Sequence, residues 1–323
     1  MPLSAIMKTN NYAVEVKDLV KRFGSFTAVD QINFEVKSGE IFGFLGPNGA
    51  GKSTTIRMLC GILSPTSGEG HVGGYDVLTE QEKIKQHIGY MSQKFSLYED
   101  LTVEENINFY SGIYRIPNQK KKARKDWVIE MAGLEDFRSS RTSTLSGGWK
   151  QRLALGCAII HEPKIVFLDE PTSGVDPISR RNFWALIKTM AKDGVTVFVT
   201  THYMDEVENC DRVALIYKGH RIALGTPEEL KTKVMQEEVL ELLLPDAQAW
   251  IKRITAVEGV RETALFGTKL HAVVENSQAA IERIEALFAA EGMSGFVVHK
   301  IKPSLEDVFV SLIEAYDKRG KVA

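Results

Sequence analysis

The sequence predicts an α/β protein: a mostly parallel sheet flanked by helices, with an antiparallel β portion, an inserted helical lobe and a small α+β domain at the C-terminal end. Three observations predict it. Ile41–Leu45 is an almost unbroken apolar run, the pattern of a strand buried on both faces. The same character returns at 165–168, 195–200 and 213–217, with helical stretches between, as in a parallel sheet covered by helices. Beyond Lys233 the runs shorten and change order, which marks a second folding unit.

Taken in order, 12–16 and 32–36 alternate apolar and polar residues and lie close in sequence, so an antiparallel pair of half-buried strands is expected. The Ile41–Leu45 strand is followed by a glycine-rich turn and a helix over 54–63. Between 97 and 161 the pattern is helical and more polar, an inserted lobe whose basic run at 119–125 reads as a solvated helix face. After 233 come strand 239–244, helix 248–257, strands 260–266 and 270–274, helix 279–290 and strand 296–301. That βαββαβ order is the split arrangement of a ferredoxin-like domain. A helix over 305–316 follows, with Ser304 as its N-cap and Asp307 three residues on. The expected domains are 1–232 and 233–323, joined by the charged connector Lys231-Thr232-Lys233.

At 323 residues the chain has room for one large core and a second small one. A formal net charge of -2 argues against bulk attraction to nucleic acid, and no nucleic-acid partner is expected. Cys60, Cys157 and Cys210 form no metal-type pair and read as reduced thiols in the core of a cytoplasmic protein. Residues 1–8 hold no signal-type apolar stretch, and no run approaches the ~18 apolar residues of a membrane-spanning helix. If the protein works at a membrane, something else must cross it.

The chemistry concentrates in three segments. Gly46-Pro47-Asn48-Gly49-Ala50-Gly51-Lys52-Ser53 fits G-x-x-x-x-G-K-[ST] between an expected strand and helix. Glycines let backbone N–H groups converge on phosphate oxygens, and the helix that follows turns its positive end to them. Lys52 would reach the β- and γ-phosphates, and the Ser53 hydroxyl would ligate Mg²⁺. At 165–170 an apolar strand ends in Asp169 and Glu170, at the edge where an open parallel sheet binds its ligand. Asp169 suits Mg²⁺ and Glu170 suits proton acceptance from, or orientation of, a water; a helix-capping carboxylate before Pro171 is the plainer alternative. Ser146-Gly147-Gly148 precedes an apolar helical run, so Ser146 would cap that helix and leave a second anion site at its positive end.

These segments, in this order over roughly residues 12 to 230, resemble the ATPase of an ATP-binding-cassette (ABC) transporter. The resemblance implies a P-loop cassette fold that binds ATP with Mg²⁺ through residues 46–54, Thr54 included. It makes Ser146, Gly147 and Gly148 the signature contacts of the opposite subunit. Gln93 corresponds to the loop residue that senses the γ-phosphate, approaches Mg²⁺ and adjoins the membrane partner. His202, after Val199-Thr200-Thr201, corresponds to the switch histidine, although a lone histidine is otherwise an ordinary structural residue. Ser173-Gly174-Val175-Asp176 resembles the loop through which paired sites communicate. Asp169 and Glu170 take the metal-holding and catalytic positions. The resemblance further implies a second copy in an ATP-sandwich dimer, membrane permease subunits, and a peripheral place on the inner face of the cell membrane. The tail at 302–309 resembles ATPases of ABC-2 exporters, without assigning a cargo.

Two positions depart from the pattern. Trp149 stands where the signature usually has Gln, and Phe23, after Arg22, stands where the adenine-stacking Tyr is common. Phe26 is the nearby competitor, with core packing as its other reading. A cassette ATPase acting on ribosomes or DNA is the alternative class. It is disfavoured by one cassette per chain, an insertion without heptads and the near-neutral charge. A regulator without turnover is disfavoured by the presence of both Glu170 and His202.

Overall fold

Long alternating strands open the fold of this computed structural model, which describes residues 11–94, 96–235 and 237–320. Residues 1–8, read above for a leader, lie outside them. β1 (Tyr12–Phe23) and β2 (Phe26–Lys37) pair antiparallel, Val14 opposite Val36 and Val16 opposite Phe34, so their apolar residues share one face. β3 (Ile41–Leu45), buried at every residue, leads through a glycine-rich loop into α1 (Lys52–Leu59). β4 (Ser67–Val72) and β5 (Tyr75–Asp76) extend the antiparallel sheet to the order β2-β1-β4-β5. α2 (Gln81–His87) and β6 (Ile88–Met91) return the chain to the parallel sheet.

The lobe follows: α3 (Val103–Ile113), α4 (Asn118–Ala132) and α5 (Gly147–Ile159). Thr102 and Glu105 form a reciprocal capping box at the start of α3, and Val103, Ile107, Val128, Ile129, Leu153 and Cys157 fill the lobe's core. The basic run is less solvated than expected. Lys120 and Lys122 are exposed, but Arg124 donates to the Ile160 carbonyl at 2.9 Å and pairs with Glu162 at 3.0 Å, while Lys125 pairs with Glu104. Two of its cations therefore fasten α4.

β7 (Ile165–Asp169), α6 (Pro177–Lys192), β8 (Thr196–Thr201), α7 (Met204–Val207), β9 (Arg212–Tyr217) and β10 (His220–Gly225) complete a six-stranded sheet, ordered β10-β9-β3-β8-β7-β6. Its β9-β3-β8-β7-β6 run is parallel throughout. The phenyl ring of Phe198 lies 5.3–6.0 Å from those of Phe44, Phe167, Phe42 and Phe34. This cluster fixes the sheet whose strand ends carry the site. All three cysteines are free and buried. Among the described residues no helix is long and apolar enough to cross a membrane.

The chain divides into compact units at Arg221/Ile222. The compositional change at Lys233 falls inside the second unit. There α8 (Pro227–Glu229) runs on into a π-helical turn, Leu230–Val234, with Leu230 buried. β11 (Glu238–Leu243), α9 (Ala247–Thr255), β12 (Val260–Phe266), β13 (Lys269–Val274), α10 (Ser277–Ala290) and β14 (Val297–Ile301) follow, then α11 (Leu305–Gly320). The sheet order β12-β13-β11-β14, antiparallel at every pairing, is the ferredoxin-like arrangement. Ser304 and Asp307 cap α11 reciprocally.

A titratable group lies under α11. His271 Nδ1 sits 2.8 Å from Asp307 Oδ1, its Nε2 lies 3.5 Å from Glu241, and Phe266 stacks on its ring. Burial pulls the His271 pKa down, but Asp307 and Glu241 outweigh it and raise it overall. Burial and the nearby Glu314 carboxylate push Glu262 to about 7, against the opposing charge of Lys318. Both raised values have the same sign: stability is present at low pH and is lost as pH climbs through them. The second unit should therefore lose stability between about pH 4.5, the ordinary Glu262 value, and pH 7, its raised one, and Glu262→Gln should lose less, as scanning calorimetry of the two chains would show.

Candidate functional site

The loop after β3 must pass close to its neighbours, and glycine makes this possible. At Gly51, φ is 103° and a Cβ would lie 2.5 Å from the Ala28 carbonyl oxygen. Gly51 is also the N-cap of α1 and provides no side-chain cap, so the first N–H groups of α1 stay open to an anion. Lys52 is 4% exposed and turns inward. Its Nζ donates to the carbonyls of Gly46 at 2.8 Å and Pro47 at 3.2 Å and pairs with Glu170 Oε1 at 3.1 Å.

The carboxylates come from the end of β7. Asp169 Oδ1 accepts from Ser53 Oγ at 3.1 Å and from Thr200 Oγ1 at 2.7 Å, while its Oδ2 is buried without a partner. Burial raises the Asp169 pKa against those two hydrogen bonds. Glu170 takes a positive φ of 47°, a costly conformation for a residue with a side chain. It is held there because its N–H donates to Thr200 Oγ1 at 2.9 Å and to the Thr200 carbonyl at 3.1 Å. Gln93 Nε2 donates to Glu170 Oε2 at 3.0 Å, and His202 Nδ1 lies 3.3 Å from the same oxygen. One open cavity is lined by Asn48, Gly49, Gly51, Lys52, Ser53, Thr54, Gln93, Glu170, Ser173 and His202. The structure thus gathers the loop, both carboxylates, Gln93 and His202.

The donor set fits a hard divalent cation. Ser53 Oγ and the partnerless Asp169 Oδ2 are oxygen donors on hydrogen-bonded side chains, and Gln93 lines the same cavity as Ser53. Among the described residues no cluster of three or more His, Cys, Asp or Glu groups forms a cage. Such a sparse set suits Mg²⁺, which keeps waters and shares its coordination with phosphate.

The β1–β2 turn sets Phe23 opposite Phe26. It is Phe26, with Ala28, that lines the cavity. Phe26 is 62% exposed, so core packing is not its role, whereas Phe23 lies outside the lining with the Lys21 ammonium 5.1 Å above its ring. Thr200 was not identified from sequence. Its signal was a polar Thr200-Thr201 pair directly after the apolar run Val197-Phe198-Val199.

Ser146, Gly147 and Gly148 start α5 on a different face. Ser146 occupies the N-cap position, but its hydroxyl makes no capping bond, contrary to expectation, and it stays exposed. Gly148 is required by packing: a Cβ there would come within 2.5 Å of Ser179 Oγ. In the Ser173–Asp176 loop, Asp176 caps α6 through the N–H groups of Ile178 and Ser179.

Residues 29–173 match the family model described as ABC transporter. The probable multidrug ABC transporter ATP-binding protein YbhF of Escherichia coli is 52% identical over 242 residues, covering 73% of this chain but 42% of that protein. This chain thus spans less than half the length of that relative. The linearmycin resistance ATP-binding protein LnrL of Bacillus subtilis is 35% identical over 93% of this chain and 97% of its own length. The daunorubicin/doxorubicin resistance ATP-binding protein DrrA of Streptomyces peucetius is 40% identical, covering 73% of this chain and 72% of its own. Among solved structures, a dimeric cassette, MJ0796, bound to ADP and Pi is 29% identical with a TM-score of 0.61, covering 66% of this chain and 98% of its own. The cbiO1 structure from Clostridium perfringens is 28% identical with a TM-score of 0.64, covering 76% and 95%.

Removing the Lys52 ammonium takes away a charged donor and leaves Glu170 without its cation. Lys52→Ala should weaken a fluorescent ATP analogue about 10- to 100-fold in an equilibrium titration, as loss of a charge-assisted bond implies.

Proposed function

Because this chain belongs to the ATP-binding proteins of ABC transporters, we propose that it hydrolyses ATP and passes the resulting motion to separate membrane subunits. The observation that carries this reading is the placement of Glu170, where Lys52, Gln93 and His202 converge at the mouth of the phosphate loop. ATP phosphates entering the loop meet the open N–H groups of α1 and compete with Glu170 for the Lys52 ammonium. Once Lys52 turns to phosphate, the Glu170 carboxylate is free to accept a proton from the attacking water. Gln93 and His202, both already at Glu170 Oε2, border the position where the γ-phosphate and that water meet. Ser53, Asp169 and Gln93 would hold Mg²⁺, which when bound neutralises phosphate charge.

The exposed Ser146 and Gly147 lie outside the cavity lining, so a complete site takes a second copy arranged head to tail, ATP between them. The dimeric MJ0796 cassette supports that arrangement. Closure on ATP and reopening after product release is a two-state change biased by ligand. The lobe and Gln93 would hand the change to permease subunits of the ABC-2 type at the inner face of the membrane. Relatives named for resistance to linearmycin and daunorubicin favour export of drug-like compounds. The nucleotide-facing residues all precede residue 203, which leaves the second unit to hold the paired copies or regulate their opening.

Glu170→Gln should keep ATP binding, lower turnover by about 10²–10⁴-fold, and accumulate an ATP-bound dimer seen as a doubled mass in light scattering. Turnover at the parental rate would remove Glu170 from the proton-acceptor role.

A further inference from the structure

The signature edge raises a problem of positioning. The first turn of α5 must hold Ser146 and Gly147 at one place for a phosphate carried by another chain, yet no side-chain cap fixes that turn. Trp149 lies on the turn, half-buried rather than facing outward. Its ring packs on Phe137 at 4.9 Å, with the planes 43° apart. The Arg152 guanidinium covers it at 4.8 Å from the centroid, and Arg152 Nη1 donates to the Ala132 carbonyl, at the end of α4, at 3.2 Å. Gly133, the left-handed cap of α4, faces the same clamp: a Cβ there would lie 3.2 Å from Arg152 Nη1 and 3.8 Å from Trp149 Cζ3. A glutamine could not provide this ring, which has a face for the cation and a face for Phe137.

We propose that Trp149 is the positioning residue of the signature edge. Clamped between Phe137 and Arg152, it sets the pitch of the first turn of α5 and makes that turn one body with the helical lobe. Ser146 and Gly147 are then ordered before the second copy arrives, so docking need not order them. The inference rests on the head-to-tail reading given above. It predicts an effect on pairing, not on the phosphate loop of the same chain, to which Trp149 makes no contribution.

The test compares Trp149→Ala, Trp149→Phe and Ser146→Arg in the full chain. Trp149→Ala should raise the protein concentration for half-maximal ATPase activity about tenfold. Its rate at saturating protein should stay within about twofold of the parent, and the affinity of single chains for an ATP analogue should not change. Trp149→Phe, which keeps a ring between Phe137 and the guanidinium, should stay within about twofold of the parent throughout. Should Trp149→Ala not fold, as judged by circular dichroism, Arg152→Met decides: it keeps the ring, removes the clamp, and should shift the half-maximal concentration about threefold. An unshifted concentration in Trp149→Ala, or in Arg152→Met where that variant decides, overturns the proposal, as does a Phe variant as impaired as the Ala variant. Ser146→Arg separates the two levels. If it hydrolyses ATP normally, the head-to-tail reading fails; if it is inactive while Trp149→Ala pairs normally, the positioning role alone fails.

Discussion

The buried pair of Lys52 and Glu170 is the contact around which the first unit is arranged. Two charges so far from water need every available partner, since burying an unpaired charge costs several kcal/mol. Lys52 satisfies its donors with Gly46, Pro47 and Glu170; Glu170 uses its second oxygen for Gln93 and His202. These partners come from the segments that follow β3, β6, β7 and β8, so the pair ties those four strand ends together. In the proposed reaction, a phosphate beside Lys52 takes the place of Glu170 and frees the carboxylate assigned to proton acceptance. Binding and activation would then be one exchange of partners.

That exchange is connected to the lobe through α5. Fully buried Gln151 donates to the Pro171 carbonyl, next to Glu170, and its Oε1 is left without a partner. Two residues earlier, Trp149 is held by Phe137 and Arg152 of the lobe. Neighbouring residues of one helix thus touch the catalytic turn and the lobe core. Gly148, crowded by Ser179, fixes the spacing of α5 from α6.

Much of this was legible in sequence because the chemistry demands fixed residue types at fixed spacings. The phosphate loop, Asp169-Glu170, Gln93 and His202 are such positions; Glu170, Gln93 and His202 line one cavity with the loop, and Asp169 is bonded to Ser53 beneath it. The buried strands β3, β7, β8 and β9 were legible because their runs are largely apolar, whereas β6, only four residues long, was not. β4 was not: Ser67-Gly68-Glu69-Gly70-His71-Val72 has little apolar pattern, and it is a strand because β1 pairs with it. Phe26 against Phe23 depends on the tightness of the β1–β2 turn, which composition does not set. The direction of Trp149 depends on Phe137, twelve positions back on another segment of the lobe. The expectation that Ser146 caps α5 failed because an N-cap residue need not turn its hydroxyl back to the helix.

The central claim is that one chain provides the phosphate loop and another the signature edge. Mixing Lys52→Ala chains with Ser146→Arg chains, each unable to form an intact site with itself, measures this directly. A mixed pair contains one site with both Lys52 and Ser146 intact. The account predicts single-turnover ATP hydrolysis in the mixture well above the sum of the two separate chains, rising with the fraction of mixed pairs. Hydrolysis no greater than that sum, with both variants folded and able to pair, would contradict it.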